Sequence, residues 1–259
     1  MSSKTTSGDP ATAHDTVDAI ADSTQRDAFP LRRTFIQQKR GRVSQPGPLA
    51  EFVSAGDRTA LLLYFLALTK ASQSPWDVLL HSAVWARALG LANPSGTTAR
   101  GRISKAWTRL VERKLVTRAR RNRMAEFTLL CEDGSGEPYT RPKSAFVNVP
   151  HELWTAGPSP TSRWFEVLTL PELTFLIIGL SNLDQFPLPV ERGPDYYGIS
   201  ADSLLRGSIG LRRHQLLAVH RRRITAPLSP QGVSWENRYT LEPPFGPRGK
   251  ISTATSPSR

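Results

Sequence analysis

The apolar positions of this chain fall into runs that recur twice in one order. From Ser54, SAGDRTALLLYFLAL predicts a capped apolar helix, followed by a short helix closing on Ala88-Leu89-Gly90-Leu91. A basic amphipathic helix comes next, and the alternating stretch LVTRARRNRMAEFTLL (115–130) predicts a hairpin. From Thr169 the order repeats: TLPELTFLIIGL, a helix closing on Ser208-Ile209-Gly210-Leu211, a second basic helix, and the hairpin stretch ITAPLSPQGVSWENRYTL (224–241). Ser54 with Asp57, and Thr169 with Glu172, stand at one common offset. Each pair has the form of a capping box, in which a hydroxyl takes an orphan amide and a carboxylate three residues on reaches back. At the same offset Leu61, Leu62, Phe65 and Leu68 match Leu176, Ile177, Leu180 and Leu183. Gly90-Leu91 matches Gly210-Leu211 once loops of different length are allowed for.

These runs predict a mainly α fold with small β-hairpin wings, built as two tandem units over residues 46–131 and 145–245. The segment CEDGSGEPYTRPKS (131–144) is rich in turn residues, so 132–144 reads as a linker. Residues 1–45 and 246–259 are polar and read as disordered tails. Inside the first tail, FPLRRTFIQQKRGR (29–42) is a basic patch carrying two phenylalanines. The two longest apolar runs, 60–68 and 173–180, fall short of the ~20 residues that span a bilayer, and predict buried helices. The polar first 25 residues lack the apolar stretch of a secretion signal, which points to a cytoplasmic protein.

The formal charge of +12 favours polyanionic partners, nucleic acid before a membrane surface. Its placement is more informative than its size. Residues 96–123 hold ten basic side chains against one acid, Glu112. On a helix, Ile103, Ala106, Trp107, Leu110 and Val111 share one face, and Arg102, Lys105, Arg109 and Arg113 form a ridge away from it. Four like charges on one ridge repel one another, so the pattern favours a bound anion over a merely solvated face. Beyond the helix, Arg118, Arg120, Arg121 and Arg123 fall in RARRNR (118–123), which predicts the turn of a wing able to lie over a phosphate backbone. In the second unit, 203–235 contains no acid. There Leu216 and Val219 would face inward on a helix, leaving Gln215, Ala218 and Arg222 outward, flanked by His214 and Arg221, with Arg212 and Arg213 at its start. Gln pairs with adenine and Arg with guanine.

Catalytic patterns are missing. SGTTARGR (95–102) lacks the GxxxxGK[ST] of a phosphate loop, and there is no GxSxG or HExxH. A single cysteine, Cys131, and five scattered histidines give no metal-ligand spacing. The sequence therefore predicts a protein that is not an enzyme and needs no cofactor or metal.

Helix, helix, basic helix, hairpin is the order of a winged helix-turn-helix, and the chain resembles that superfamily over about residues 50–130 and 145–245. SADSLLRGSIGLRRHQLLAVHRRRI (200–224) looks like the second and third helices of bacterial regulators, with Ser200 or Asp202 as the cap and Gly210 as the turn glycine. The insertion ANPSGTTARGR (92–102) departs from the tight turn usual there. The tandem layout resembles plasmid replication initiators. The resemblance implies sequence-specific binding of double-stranded DNA, by a transcription regulator or by an initiator at repeated origin sites. A winged-helix module for protein or RNA is the alternative. Two tethered units suffice for a monomer to cover an extended site, and the sequence leaves the oligomeric state open.

Overall fold

The computed structural model describes residues 8–40, 43–182 and 184–246. The chain opens with helix α1 (Ala13–Asp22), strand β1 (Ala28–Arg32) and the hairpin of β2 (Gln37–Arg40) and β3 (Val43–Pro46). A first unit follows: α2 (Leu49–Ser54), α3 (Arg58–Lys70), β4 (Asp77–Val78), α4 (Ser82–Ala88), α5 (Thr97–Glu112), β5 (Val116–Arg121) and β6 (Met124–Leu129). Strand β7 (Phe146–Pro150) and the short helices α6 (Glu152–Thr155) and α7 (Trp164–Val167) lead into a second unit. It comprises α8 (Leu170–Leu180), β8 (Phe186–Pro187), α9 (Gly193–Tyr197), α10 (Ala201–Arg213), β9 (Leu217–Thr225) and β10 (Val233–Leu241). The two units share one sheet plan, with strand order β4-β6-β5 in the first and β8-β10-β9 in the second.

The fold is mixed α/β, 41% helix and 23% strand with four small antiparallel sheets among the described residues, and so not mainly α. Much of the additional strand lies where a disordered N-terminal tail was expected. β1 pairs antiparallel with β7, from Ala28 opposite Pro150 to Arg32 opposite Phe146. Phe29, Leu31, Phe35 and Ile36 are buried, so the two phenylalanines of the basic patch are core residues. Phe35 stacks on Tyr64 at 5.6 Å, and Phe29 lies 5.5 Å from Phe65. The apolar partners that order this stretch come from α3 and β7, far along the chain. Gly41 and Arg42 of the patch, and residues 247–259 of the expected C-terminal tail, lie outside the described residues.

Helices α3 and α8 occupy the two apolar runs and are buried almost all round, as befits central helices. One contiguous apolar cluster contains both. Polar ties join the first unit to the segment that leads into the second. Arg58 at the start of α3 donates Nε to the Leu168 carbonyl (2.9 Å) and Nη2 to those of Glu166 (3.1 Å) and Phe165. The Trp154 indole donates to Thr69 Oγ1 at 3.1 Å. Helix α1 bridges as well: Thr16 accepts from Arg87, and Asp18 pairs with Arg163. The segment 132–144 is packed into the same body. Glu132 is fully buried against Arg32, and Tyr139 meets Trp76 edge-on at 5.1 Å.

The helix that precedes the wing, α5 in the first unit and α10 in the second, ends in the same way in both. Lys114 and Gln215 both adopt left-handed backbone, at φ 56° and 59°. Their N–H groups bond to the carbonyls of Val111 and Arg212, and those of Leu115 and Leu216 bond to Leu110 and Leu211. This is the Schellman pattern of a helix stop. It aligns α5 with α10 at a spacing of 101 residues, which replaces the Gly90/Gly210 match. Gly90 follows α4, whereas Gly210 lies inside α10. The left-handed Gln215 also explains why the expected second basic helix is absent. Past it, Leu217 and Val219 alternate in register with Leu241 and Tyr239, and the chain continues as β9. The capping boxes divide: Thr169 and Glu172 form one on α8, but Asp57 is itself the N-cap of α3 and Ser54 belongs to α2.

If the N-terminal segment is core, Phe35→Ala should cost about 3–5 kcal/mol in urea unfolding. A disordered tail would give no change.

Candidate nucleic-acid interface

Helix α5 begins at Thr97, inside the expected insertion, and buries Ala99, Ile103, Ala106, Trp107 and Leu110. Val111, expected on that stripe, is exposed at its edge. At 100° per residue the positions farthest from the buried stripe are Gly101, Lys105, Thr108 and, in the last turn, the exposed Glu112, with Thr97, Thr98 and Ser104 beside them. Apart from Lys105 and Glu112 this outward face is small and polar. Arg100 flanks it on the wing side, and Arg102 flanks it on the α3 side; both are exposed.

The predicted ridge is split by charge. Arg102 and Lys105 are exposed and have no carboxylate partner among the described residues. Arg109 instead donates Nε (2.6 Å) and Nη2 (2.8 Å) to the two oxygens of Asp57. Arg113 donates Nη1 to Asp57 at 2.9 Å, approaches Glu51 at 3.6 Å and lies 4.3 Å over the Phe52 ring. Its side chain is only 9% exposed. The repulsion expected along the ridge is thus relieved by acids from α2 and the α3 cap. Burial pushes the Asp57 carboxyl up, but the hydrogen bonds from Arg109 and Arg113 outweigh it and hold the group below its ordinary value.

The wing carries the remaining cations. Arg118, Arg120 and Arg121 lie in β5, and the turn is only Asn122 and Arg123, with φ 50° and 64°. Two consecutive left-handed residues make the tight turn that suits a twisted hairpin. Strand alternation then sorts the arginines. Arg121 points away from α5 and pairs with Asp77 (3.0 Å) and Glu126 (2.9 Å). Arg118 and Arg120, opposite Phe127 and Ala125, face the helix. With Arg100 and Arg123 they rim a cleft of about 310 Å³ between α4, α5 and the wing. Its floor is aromatic: Trp107 stacks on Phe127 at 3.8 Å and 7°, and Trp85 meets Trp107 edge-on at 5.5 Å. None of these four guanidinium groups has a carboxylate partner among the described residues. Arg118 lies over the Phe127 ring at 5.9 Å.

The second unit is built alike but surfaced differently. Glu172 approaches His214 at 3.6 Å, as Asp57 does Arg113, and both basic residues are helix C-caps. A Cβ at Gly210 would overlap the Glu172 side chain, and one at Gly207 would overlap the Pro171 carbonyl, so it is at Gly207 that the backbone of α8 closes on α10. Arg212 and Arg213 are exposed on the last turn of α10, and Gln215 sits in the helix stop. Arg221 and Arg222 lie on β9 and so cannot sit on a recognition helix; neither can Ala218. Arg221 stands 5.3 Å from the ring of the exposed Trp235.

Sequence inspection overlooked Arg100 and the carboxylates that neutralise Arg109, Arg113 and Arg121. Asp57, Glu51 and Asp77 are remote in sequence from their arginines, and only the fold joins them; Glu126 is five residues from Arg121, across the hairpin. Comparison with protein-family models, curated proteins and solved structures found no match to the chain. Among the described residues no helix is long and apolar enough to cross a membrane, and no cluster of His, Cys, Asp and Glu is placed to hold a metal.

Asp57→Asn should destabilise the fold by about 3 kcal/mol at neutral pH, because it strands the nearly buried Arg113. A carboxyl depressed by folding stabilises above its unfolded value and loses that contribution in acid. Stability of wild type and variant, followed by denaturant melts against pH, should therefore converge as pH falls below 3.8, the ordinary carboxylate value.

Proposed function

We propose that the protein is a non-enzymatic, sequence-specific binder of double-stranded DNA that acts as a transcription regulator, with the first unit as its principal reader. The observation that carries this is the set of unneutralised cations around one small, polar helix face: Arg100, Arg102 and Lys105 on α5, and Arg118, Arg120 and Arg123 on the wing. Nearby arginines that point elsewhere are paired with acids. The order helix, strand, helix, helix, strand, strand, with the last strand central, is that of a winged helix-turn-helix. It favours insertion of α5 into the major groove, whose width admits a helix.

In this arrangement Thr98, Gly101, Ser104, Lys105 and Thr108 meet base edges. Their small size permits close approach, and Lys105 suits the acceptors of guanine. Arg100 and Arg102 reach the phosphates of the two groove walls, while Arg118, Arg120 and Arg123 hold the adjacent backbone. Such contacts set position and leave sequence discrimination to the helix. Arg221, Arg222 and Arg223 on the second wing supply further phosphate contacts.

The test is fluorescence anisotropy with duplexes selected from a random pool, titrated against salt. One enriched motif is expected. With these eight phosphate contacts made, log affinity should fall with log salt at a slope of about −7. Replacing Arg118, Arg120 and Arg123 by Ala should weaken all sequences alike and reduce the slope by about 3. Arg121→Ala should change little, since that side chain is held by Asp77 and Glu126. Lys105→Ala should relax the sequence preference. Absence of an enriched motif, or an equal loss from Arg121→Ala, would contradict the assignment.

A further inference from the structure

The matched helices α5 and α10 present opposite chemistry. At the 101-residue spacing, Ser104 and Thr108 of α5 correspond to Leu205 and Ile209 of α10. Both aliphatic side chains are left in solvent, 48% and 38% exposed. Helix α10 is otherwise well buried on its inner side through Leu204, Gly207, Ser208, Gly210 and Leu211. Its outer seam therefore reads Asp202, Leu205, Ile209, Arg212, at steps of three, four and three residues. That is the spacing of a helix–helix contact. All four are exposed.

We propose that this seam is a self-association surface that takes a second copy of the same helix, antiparallel, about a two-fold axis level with residue 207. The seam is complementary to itself in that orientation alone. Leu205 of one copy meets Ile209 of the other, and Asp202 at one end meets Arg212 at the opposite end, twice by symmetry. A two-fold contact must join a patch to itself in this way. A parallel pairing would set Asp202 against Asp202 and Arg212 against Arg212. Each end of the seam also suits its helix end, the acid in the first turn and the base in the last. Asp202 already contacts Arg206 one turn on, at 2.9 Å, but that pair is exposed and leaves the carboxylate able to accept from a second guanidinium.

The seam spans about 15 Å of helix. A contact of this size lies at the low end of specific interfaces, where association is weak and reversible. The pairing makes no use of DNA and stands apart from the DNA-binding proposal. If both hold, the dimer presents two first units related by a two-fold axis, which fits an inverted-repeat site.

The experiment is sedimentation equilibrium of the full chain, without DNA, from micromolar to about 200 μM, a range in which weak association is measurable. Wild type should be a reversible dimer. Ile209→Glu should be monomeric at every concentration. Asp202→Arg and Arg212→Asp should each weaken association at least tenfold, and the double variant should restore it. Circular dichroism of each variant checks the helix. A wild type that stays monomeric throughout overturns the proposal. So does a dimer that survives Ile209→Glu, or single charge reversals that the double variant does not rescue. Duplex affinity measured on the monomeric Ile209→Glu separates the two ideas: retained half-site binding leaves the DNA proposal standing whether or not the copies pair.

Discussion

The Asp57 carboxylate is the joint on which the candidate interface depends. It caps α3, the most buried helix of the first unit, and takes three hydrogen bonds from Arg109 and Arg113 on α5. A carboxylate 4% exposed in its side chain holds one guanidinium that is 9% exposed, so neither charge is stable there alone. The pair fixes how α5 lies across α3 and thereby which of its faces is turned to solvent. It also removes two arginines from that face, leaving small polar residues at its centre and free cations at its margins.

The same joint recurs in the second unit with weaker chemistry, Glu172 against His214, and with Gly210 leaving room for the Glu172 side chain. The joint is common to the two units, while their outer faces differ. The scaffold that positions a helix against a wing is built twice, while the surface it displays is polar and basic once and amphipathic once. Because α3 and α8 share one core, and because Arg58 and Trp154 tie the halves together, the two displays are held in one body.

Much of this scaffold was legible in the sequence, for identifiable reasons. ALLLYFLAL and LTFLIIGL have room for nothing but a buried helix, and the basic helix announces itself by Ile103, Ala106, Trp107 and Leu110 recurring at helical spacing. The misread parts are those decided at a distance or by one dihedral. Phe29, Leu31, Phe35 and Ile36 sit among arginines and look like a tail until β7 supplies their partner. LLAVHRRR fits helix or strand by local pattern, and Gln215, a residue that does not advertise a left-handed turn, decides for strand. Arg109 and Arg113 look free because Asp57 lies more than fifty positions away. At the site, the basic helix and wing were visible, but which of their charges are free was not.

In the proposed mode of binding the unpaired arginines of α5 and the first wing, and not the paired ones, meet DNA. The most direct measurement is arginine modification by phenylglyoxal, read by mass spectrometry with and without a bound duplex. The account predicts strong protection of Arg100, Arg102, Arg118, Arg120 and Arg123, and no change at Arg113 and Arg121. Unaltered reactivity of the first group in a saturated complex, or protection confined to the second unit, would contradict it.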